Sequence, residues 1–353
     1  MHNIRIGING FGRIGRMIFR ACLERCDLEV VGINDILSIE QVIYLLKYDT
    51  VHHTLKYNIM CEDNNLIING HKIRVTQIQD PANLRWNEIN VDYVVESTGK
   101  FLTYDLAKKH LNAGASKVVL SAPAEDNTPM FVSGVNLDKY IGQSIISNAS
   151  CTTNCLAPIA YILHKHFGIQ EGLMTTVHPV TGTQKVVDSY SKRDYRAGRS
   201  GLANIIPYHT GAAKSIGKII PELEGKLTGI CFRVPTLDVS VIDLSVKLKQ
   251  NTCYEEICKV IKDASETSMS DIIGYEDEER VSSDFLDQTK TSYFDATSGM
   301  SVSDSFFKII AWYDNEIGYS NKLLDLIKYT YTYDQKIVLN NELIRNKNYH
   351  LNM

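Results

Sequence analysis

GINGFGRIG, residues 7–15, places four glycines in nine positions between two segments of opposite periodicity. Before it runs IRIGI (4–8), short and β-branched. After it RIGRMIFRACLER (13–25) spaces its apolar residues as a helix does, and LEVVGIND (28–35) is β-branched again. The stretch therefore turns a strand into a helix that leads to a second strand. Outward from this unit, YVVEST (93–98) and KVVLSA (117–122) are further apolar runs. DLAKKHLNAGA (105–115) between them reads as a helix stopped at Gly114. Strands alternating with helices predict a parallel sheet covered on both faces, of the doubly wound, Rossmann type.

Gly10, Gly12 and Gly15 in NGFGRIG (9–15) have the GxGxxG spacing at a strand-to-helix turn. Glycine allows the tight turn and lets backbone N–H groups approach a pyrophosphate at the helix N-terminus, where the dipole favours an anion. The next strand ends in Asp35, about twenty residues on, where a carboxylate accepts hydrogen bonds from an adenosine ribose. Dinucleotide binding is the expectation, and Asp35 would repel a 2′-phosphate, favouring NAD over NADP.

Beyond residue 150 the pattern changes. TTVHPV (175–180), KLTGICFRVPT (226–236), VSVIDLSVKL (239–248) and FFKIIAWYD (306–314) are longer runs, several alternating in polarity. They predict an α+β unit with a mostly antiparallel sheet, one face packed and one exposed. The boundaries expected are a dinucleotide-binding unit over 1–150 and a second unit over 151–318. A helix over about 319–334 should pack back on the first, leaving a polar tail over 335–353.

The 353 residues exceed the usual size of a single core, in keeping with two units. A net charge of −4 with Lys and Arg spread along the chain gives no basic stripe, so charge suggests no nucleic-acid partner. No window approaches the roughly 18 to 20 apolar residues of a membrane span. MHNIRIGING runs into a strand without a signal-like apolar stretch, and the eight cysteines form no CxxC pair. A cytoplasmic protein with reduced thiols is the expectation.

One of those thiols stands apart. In SNASCTTNC (147–155) Cys151 falls in the first turn of the following helix, where unpaired N–H groups and the positive dipole end stabilise a thiolate. Cys155, one turn on, is expected to be a buried packing thiol. A metal held by the pair would need further ligands that the neighbourhood lacks, so no metal is expected. TTVHPVTGTQK (175–185) puts His178 at a strand end that could face Cys151 as proton acceptor. His164 and His166, on the helix after Cys151, read as solvated or packing residues.

GINGFGRIGR, SNASCTTNC, TTVH, TGAAK, GKLTG, FRVPT and WYDNEIGYSNK, in this order, closely resemble the phosphorylating glyceraldehyde-3-phosphate dehydrogenase family over residues 3 to about 333. The resemblance implies a nucleophile at Cys151, a base at His178, NAD as cofactor, and D-glyceraldehyde 3-phosphate and inorganic phosphate as substrates. It implies that Thr181 and Arg233 hold the substrate's phosphate. Ser150, Thr152, Thr210 and Gly211 would cradle the attacking phosphate, assisted by Arg196. Arg13, Ile14 and Ser121 match cofactor-contact positions, Asn315 would orient the nicotinamide carboxamide, and Tyr319 would pack nearby. It also implies a homotetramer whose core contains the loop over 189–214. Departures from the family pattern are Pro179 and Val180 beside the base, Ser189 and Tyr190 in that loop, Tyr208 and His209 before TGAAK, and Gln79. A hydrolytic relative acting on erythrose 4-phosphate, or a non-catalytic binding protein on the same fold, are the alternatives.

Overall fold

The computed structural model describes residues 3–192 and 194–351. The glycine-rich stretch turns β1 (Ile4–Asn9) into α1 (Arg13–Leu23), which leads to β2 (Leu28–Asn34). α2 (Ile39–Lys47) follows, capped at Ser38, whose side chain accepts from the Gln41 N–H while Gln41 reaches back. Three strands come next: β3 (Ile59–Glu62), β4 (Asn65–Ile68) and β5 (His71–Thr76). β6 (Tyr93–Glu96), α3 (Tyr104–Asn112), β7 (Lys117–Leu120) and β8 (Ile145–Ser147) complete the first sheet and its helices. Its order is β3-β4-β5-β2-β1-β6-β7-β8. The six strands from β5 to β8 pair in parallel, and β3 and β4 extend that edge antiparallel.

That edge was not read from the sequence, although its turns carry a signal. Asp63-Asn64 and Asn69-Gly70 all have positive φ, the backbone that two-residue hairpin loops require.

The second sheet comprises β9 (Ile169–Pro179), β10 (Ile206–His209), β11 (Leu227–Val234), β12 (Ser240–Leu248), β13 (Ile273–Glu276), β14 (Ser292–Ser301) and β15 (Phe306–Tyr313). In the order β10-β11-β9-β12-β15-β14-β13 only β11–β9 and β13–β14 are parallel. The chain thus has the α/β class expected, a parallel sheet followed by a mostly antiparallel one. α4 (Cys151–Phe167), α5 (Ala212–Ile219) and α6 (Tyr254–Glu266) bury their apolar faces in the core under this second sheet. Cys155 is fully buried there, beside Ser292, in the packing role expected of it.

α7 spans Ile317–Leu351. Leu323, Leu324, Leu326 and Ile327 return it to the core of the first sheet. The helix runs through the segment read as a tail from 335. DQKIVLNNELIRNK contains no Gly or Pro, so nothing stops propagation even where the apolar spacing fades.

Candidate active site

The turn between β8 and α4 sets the position of Cys151. Ala149 adopts φ +54°, unusual for a side chain with a Cβ, and its buried backbone is held at both ends. Its N–H donates to Ser147 Oγ at 3.0 Å and its carbonyl accepts from the Tyr319 hydroxyl at 2.9 Å. Ser150 then caps α4, its Oγ accepting from the Thr153 N–H at 3.0 Å. Cys151 is the first residue of that helix, so its own N–H has no partner inside the helix.

His178 and Arg233 are brought to Cys151 by strand pairing. β9 and β11 run in parallel with His178 opposite Arg233. Cys151 Sγ lies 3.6 Å from His178 Nε2. Nδ1 of the same ring is 2.9 Å from the Pro179 carbonyl, and Arg233 Nη1 lies 2.6 Å from Nδ1 and 3.0 Å from that carbonyl. One nitrogen cannot both donate to Pro179 and accept from Arg233. The tautomer that serves as a base has Nδ1–H on the Pro179 carbonyl and a lone pair at Nε2 facing Sγ.

Burial acts against charge at both partners. It pushes the Cys151 thiol up to about 11, with the positive Arg233 pulling the other way. Burial, then Arg233, pushes the His178 imidazole down to about 3. The helix terminus alone would stabilise a thiolate at Cys151. The surroundings correct this, since both shifts favour an uncharged thiol and imidazole at rest. Opposite charges 3.6 Å apart attract by about 4 to 5 kcal/mol at an effective dielectric near 20, which partly offsets the cost of moving the proton.

Two cavities meet at Sγ. A cleft of about 940 Å³ is lined by Arg13, Ile14, Ser121, Asn315 and Tyr319 at one end and by Thr181 and Arg233 at the other, with Cys151 and His178 between. A smaller cavity of about 170 Å³ is lined by Thr152, Thr210 and Gly211, and shares Ser150, Cys151, His178 and Arg233 with the cleft. The residues singled out in the sequence are in this way largely assembled around one sulfur.

Not every side chain is free for the role first given it. The Arg13 guanidinium is committed to Asp49 and Glu316. Thr152 Oγ1 is 2.8 Å from the Tyr313 hydroxyl, and Thr181 Oγ1 lies 2.9 Å from Thr183 Oγ1. Ser240 Oγ donates to Asn315 Oδ1 at 2.8 Å, which leaves the Asn315 amide N–H groups as donors. Arg196 is exposed and lies outside both cavities, in a surface depression with Lys192 and His209. Thr183 and Gly182, which the sequence reading passed over, line the cleft beside Thr181.

The residues at the first turn fit NAD. Gly10 has φ +94°, and a Cβ there would lie 2.6 Å from the Thr98 N, whereas a Cβ on Gly12 would meet nothing within 4 Å. Gly12 precedes α1 and offers it no side-chain cap, so the N–H groups of the first turn have no side-chain partner there, as a pyrophosphate site requires. Asp35 Oδ2 accepts from the Phe11 N–H at 2.5 Å and Oδ1 from the Leu37 N–H at 3.1 Å, which fixes the carboxylate at the end of β2.

Comparison with known proteins places the chain in one family. Residues 4–104 match the family model described as glyceraldehyde 3-phosphate dehydrogenase, NAD binding domain, and residues 150–315 match the C-terminal domain of the same family. The chain is 57% identical over 325 residues to the glyceraldehyde-3-phosphate dehydrogenase of Buchnera aphidicola subsp. Schizaphis graminum. It is 56% identical over 324 residues to that of Salmonella typhimurium and to glyceraldehyde-3-phosphate dehydrogenase A of Escherichia coli K12. Each match covers 92% of this chain and 98% of the relative.

Proposed function

The chain belongs to the glyceraldehyde-3-phosphate dehydrogenase family and is an NAD-dependent enzyme of that type, serving glycolysis; we propose that its chemistry runs on Cys151 and His178. The reaction is the oxidation of D-glyceraldehyde 3-phosphate, with inorganic phosphate, to 1,3-bisphosphoglycerate. The observation that carries the mechanism is that a large cleft and a small polar cavity share one thiol.

In this reading Thr181 and Arg233 orient the substrate's phosphate and place its aldehyde at Sγ. Sulfur adds to the carbonyl carbon, the S–H proton passes to His178 Nε2, and the carbonyl π pair moves to oxygen beside the Cys151 N–H. His178 returns its proton to that oxygen, giving a thiohemiacetal. It then accepts the hydroxyl proton as hydride leaves the carbon and the C=O bond re-forms as a thioester. NAD, when bound along Gly10, Gly12, Asp35 and Asn315, supplies the hydride acceptor. A phosphate oxygen in the small cavity attacks the thioester carbon, the C–S bond breaks, and its electron pair returns to Sγ.

The cavity beside Thr210 and Gly211 favours attack by phosphate over the hydrolytic alternative. The test is NADH formation from glyceraldehyde 3-phosphate with and without inorganic phosphate. Sustained turnover only with phosphate is expected, and equal sustained rates would indicate hydrolysis.

Three further elements belong to the proposal. Residues 1–150 and 151–318 act as the cofactor-binding and catalytic units. The protein works in the cytoplasm, in keeping with eight free thiols and with the absence, among the described residues, of a helix long and apolar enough to cross a membrane. It assembles as a homotetramer, which Val186, Val187, Tyr190, Tyr195 and Ile205 support by exposing two-thirds or more of their area along one loop.

A further inference from the structure

We propose that His209 is a phosphate-binding residue that admits inorganic phosphate to the cavity beside Cys151, an inference that rests on the phosphorolysis step just described. His209 lies on a wall common to two spaces. On its inner side is the cavity of about 170 Å³ that touches Cys151. On its outer side is a surface depression of about 520 Å³ lined by Lys192, Asp194, Tyr195 and Arg196. The residue itself is exposed, at the end of β10 directly before Thr210 and Gly211.

Few side chains around the inner cavity can donate an N–H to an anion. Among the described residues lining it, only His178, His209 and Arg233 can carry positive charge. His178 directs Nε2 at Cys151 Sγ, 3.6 Å away, where its N–H and lone pair serve the proton transfers. Arg233 directs Nη1 at His178 and at the Pro179 carbonyl, and the Tyr208 ring lies 5.6 Å from its guanidinium carbon. That geometry engages Nη1 of Arg233 with the base, while its buried Nε has no partner and the residue lines both spaces. His209 adds a side-chain N–H able to meet a phosphate anion where the cavity opens outward, and imidazole does so in either charge state.

The outer depression leads to the same residue. Lys192 and Arg196 are exposed cations there, and the one acid, Asp194, accepts from the Arg196 backbone N–H at 2.9 Å. The balance of charge attracts an inorganic anion toward His209. From His209 it needs to pass only to Thr210 and the N–H groups at the start of α5, where Gly211 has no side-chain cap.

The test uses the full chain and separates the two half-reactions. In His209→Gln the KM for inorganic phosphate should rise roughly tenfold, the loss of one charge-assisted hydrogen bond at a partly solvated site. The KM for glyceraldehyde 3-phosphate and the burst of NADH formed without phosphate should not move. His209→Lys, which restores an N–H donor on the same wall, should recover most of the phosphate affinity. An unchanged phosphate KM in His209→Gln, or equal rises for phosphate and aldehyde, would overturn the proposal. Absence of the phosphate-free burst in the unaltered protein would instead overturn the thioester mechanism beneath it.

Discussion

His178 has one imidazole nitrogen 3.6 Å from Cys151 Sγ and the other fixed at a backbone carbonyl, so replacing it should affect both proton steps and leave binding nearly intact. His178→Asn is expected to slow hydride transfer by about 10² to 10⁴, the range for a lost general base. It should also move alkylation of Cys151 by iodoacetamide to higher pH, because burial already raises the thiol and the proton acceptor is gone. Peptide mapping must report the rate, since Cys26, Cys61 and Cys253 are exposed and will react as well. Superimposable pH profiles for the two proteins would remove His178 from thiol activation. At the cofactor end, Asp35→Ala should narrow the preference for NAD over NADP in kcat/KM. It deletes the carboxylate facing a 2′-phosphate and releases the Phe11 and Leu37 N–H groups. An unchanged ratio would mean that other groups set the preference. Cys151, His178 and Arg233 were legible because thiol, imidazole and guanidinium stand in distinctive local strings. The commitment of Arg13 to Glu316 was not, because it joins residues 303 apart and depends on how α7 is placed.

Among the elements, the turn before α4 carries the greatest functional demand. Its left-handed Ala149 costs on the order of 1 kcal/mol and is kept in place by Ser147 and by Tyr319 from α7. Tyr319→Phe removes only the hydroxyl. It is expected to destabilise the protein by about 1 kcal/mol, the net worth of one buried hydrogen bond. It should lower kcat more than it raises the KM for NAD, because the nucleophile loses its fixed position. Thermal unfolding and steady-state kinetics check this, and a change confined to the KM for NAD would assign Tyr319 to cofactor packing alone. The β-α-β unit around Gly10 was readable because each element has its own period and the glycines mark its turn. β3 and β4 escaped because they lack the continuous buried apolar run that marks the equally short β6 and β7: β3 is mostly exposed and β4 buries only alternate residues. The far half of α7 escaped because propensity, with no strong apolar stripe, sustains it.

At the scale of the whole molecule, a charged cluster joins the two sheets beside the cleft. Arg13, Asp49 and His52 come from the first part of the chain and meet Asp238, Asp287, Asp314 and Glu316 from the second. His52 Nδ1 is 2.6 Å from Asp287 and Nε2 is 2.9 Å from Glu316. Burial alone would lower the His52 imidazole, but hydrogen bonds to Glu316 and Asp287 outweigh it and hold it up at about 9. Burial, then the charges of Asp314 and Glu316, raises the Asp238 carboxyl far above its ordinary range. Both groups bind protons more tightly folded than unfolded. Their stabilisation is greatest in acid and is lost as pH rises, for Asp238 from the ordinary carboxylate range up through about 8 and for His52 from about 6.5 up through about 9. Tm should fall between pH 7 and 9.5, and Asp238→Asn, which keeps an uncharged group of the same shape, should flatten that decline. Equal slopes would exclude Asp238 as a source. The exposed apolar loop leads to a separate expectation, that light scattering at micromolar concentration reports a mass near four chains. A stable, fully active monomer would contradict it.

The most direct test of the central claim is the mass of the enzyme trapped halfway. Protein mixed with NAD and glyceraldehyde 3-phosphate in the absence of inorganic phosphate, then quenched in acid and mapped, should carry one phosphoglyceroyl group per chain. The group should lie on the peptide containing Cys151, and adding phosphate before the quench should discharge it. Undiminished NADH formation in a Cys151→Ser variant, or an acyl group found on another cysteine, would contradict the mechanism.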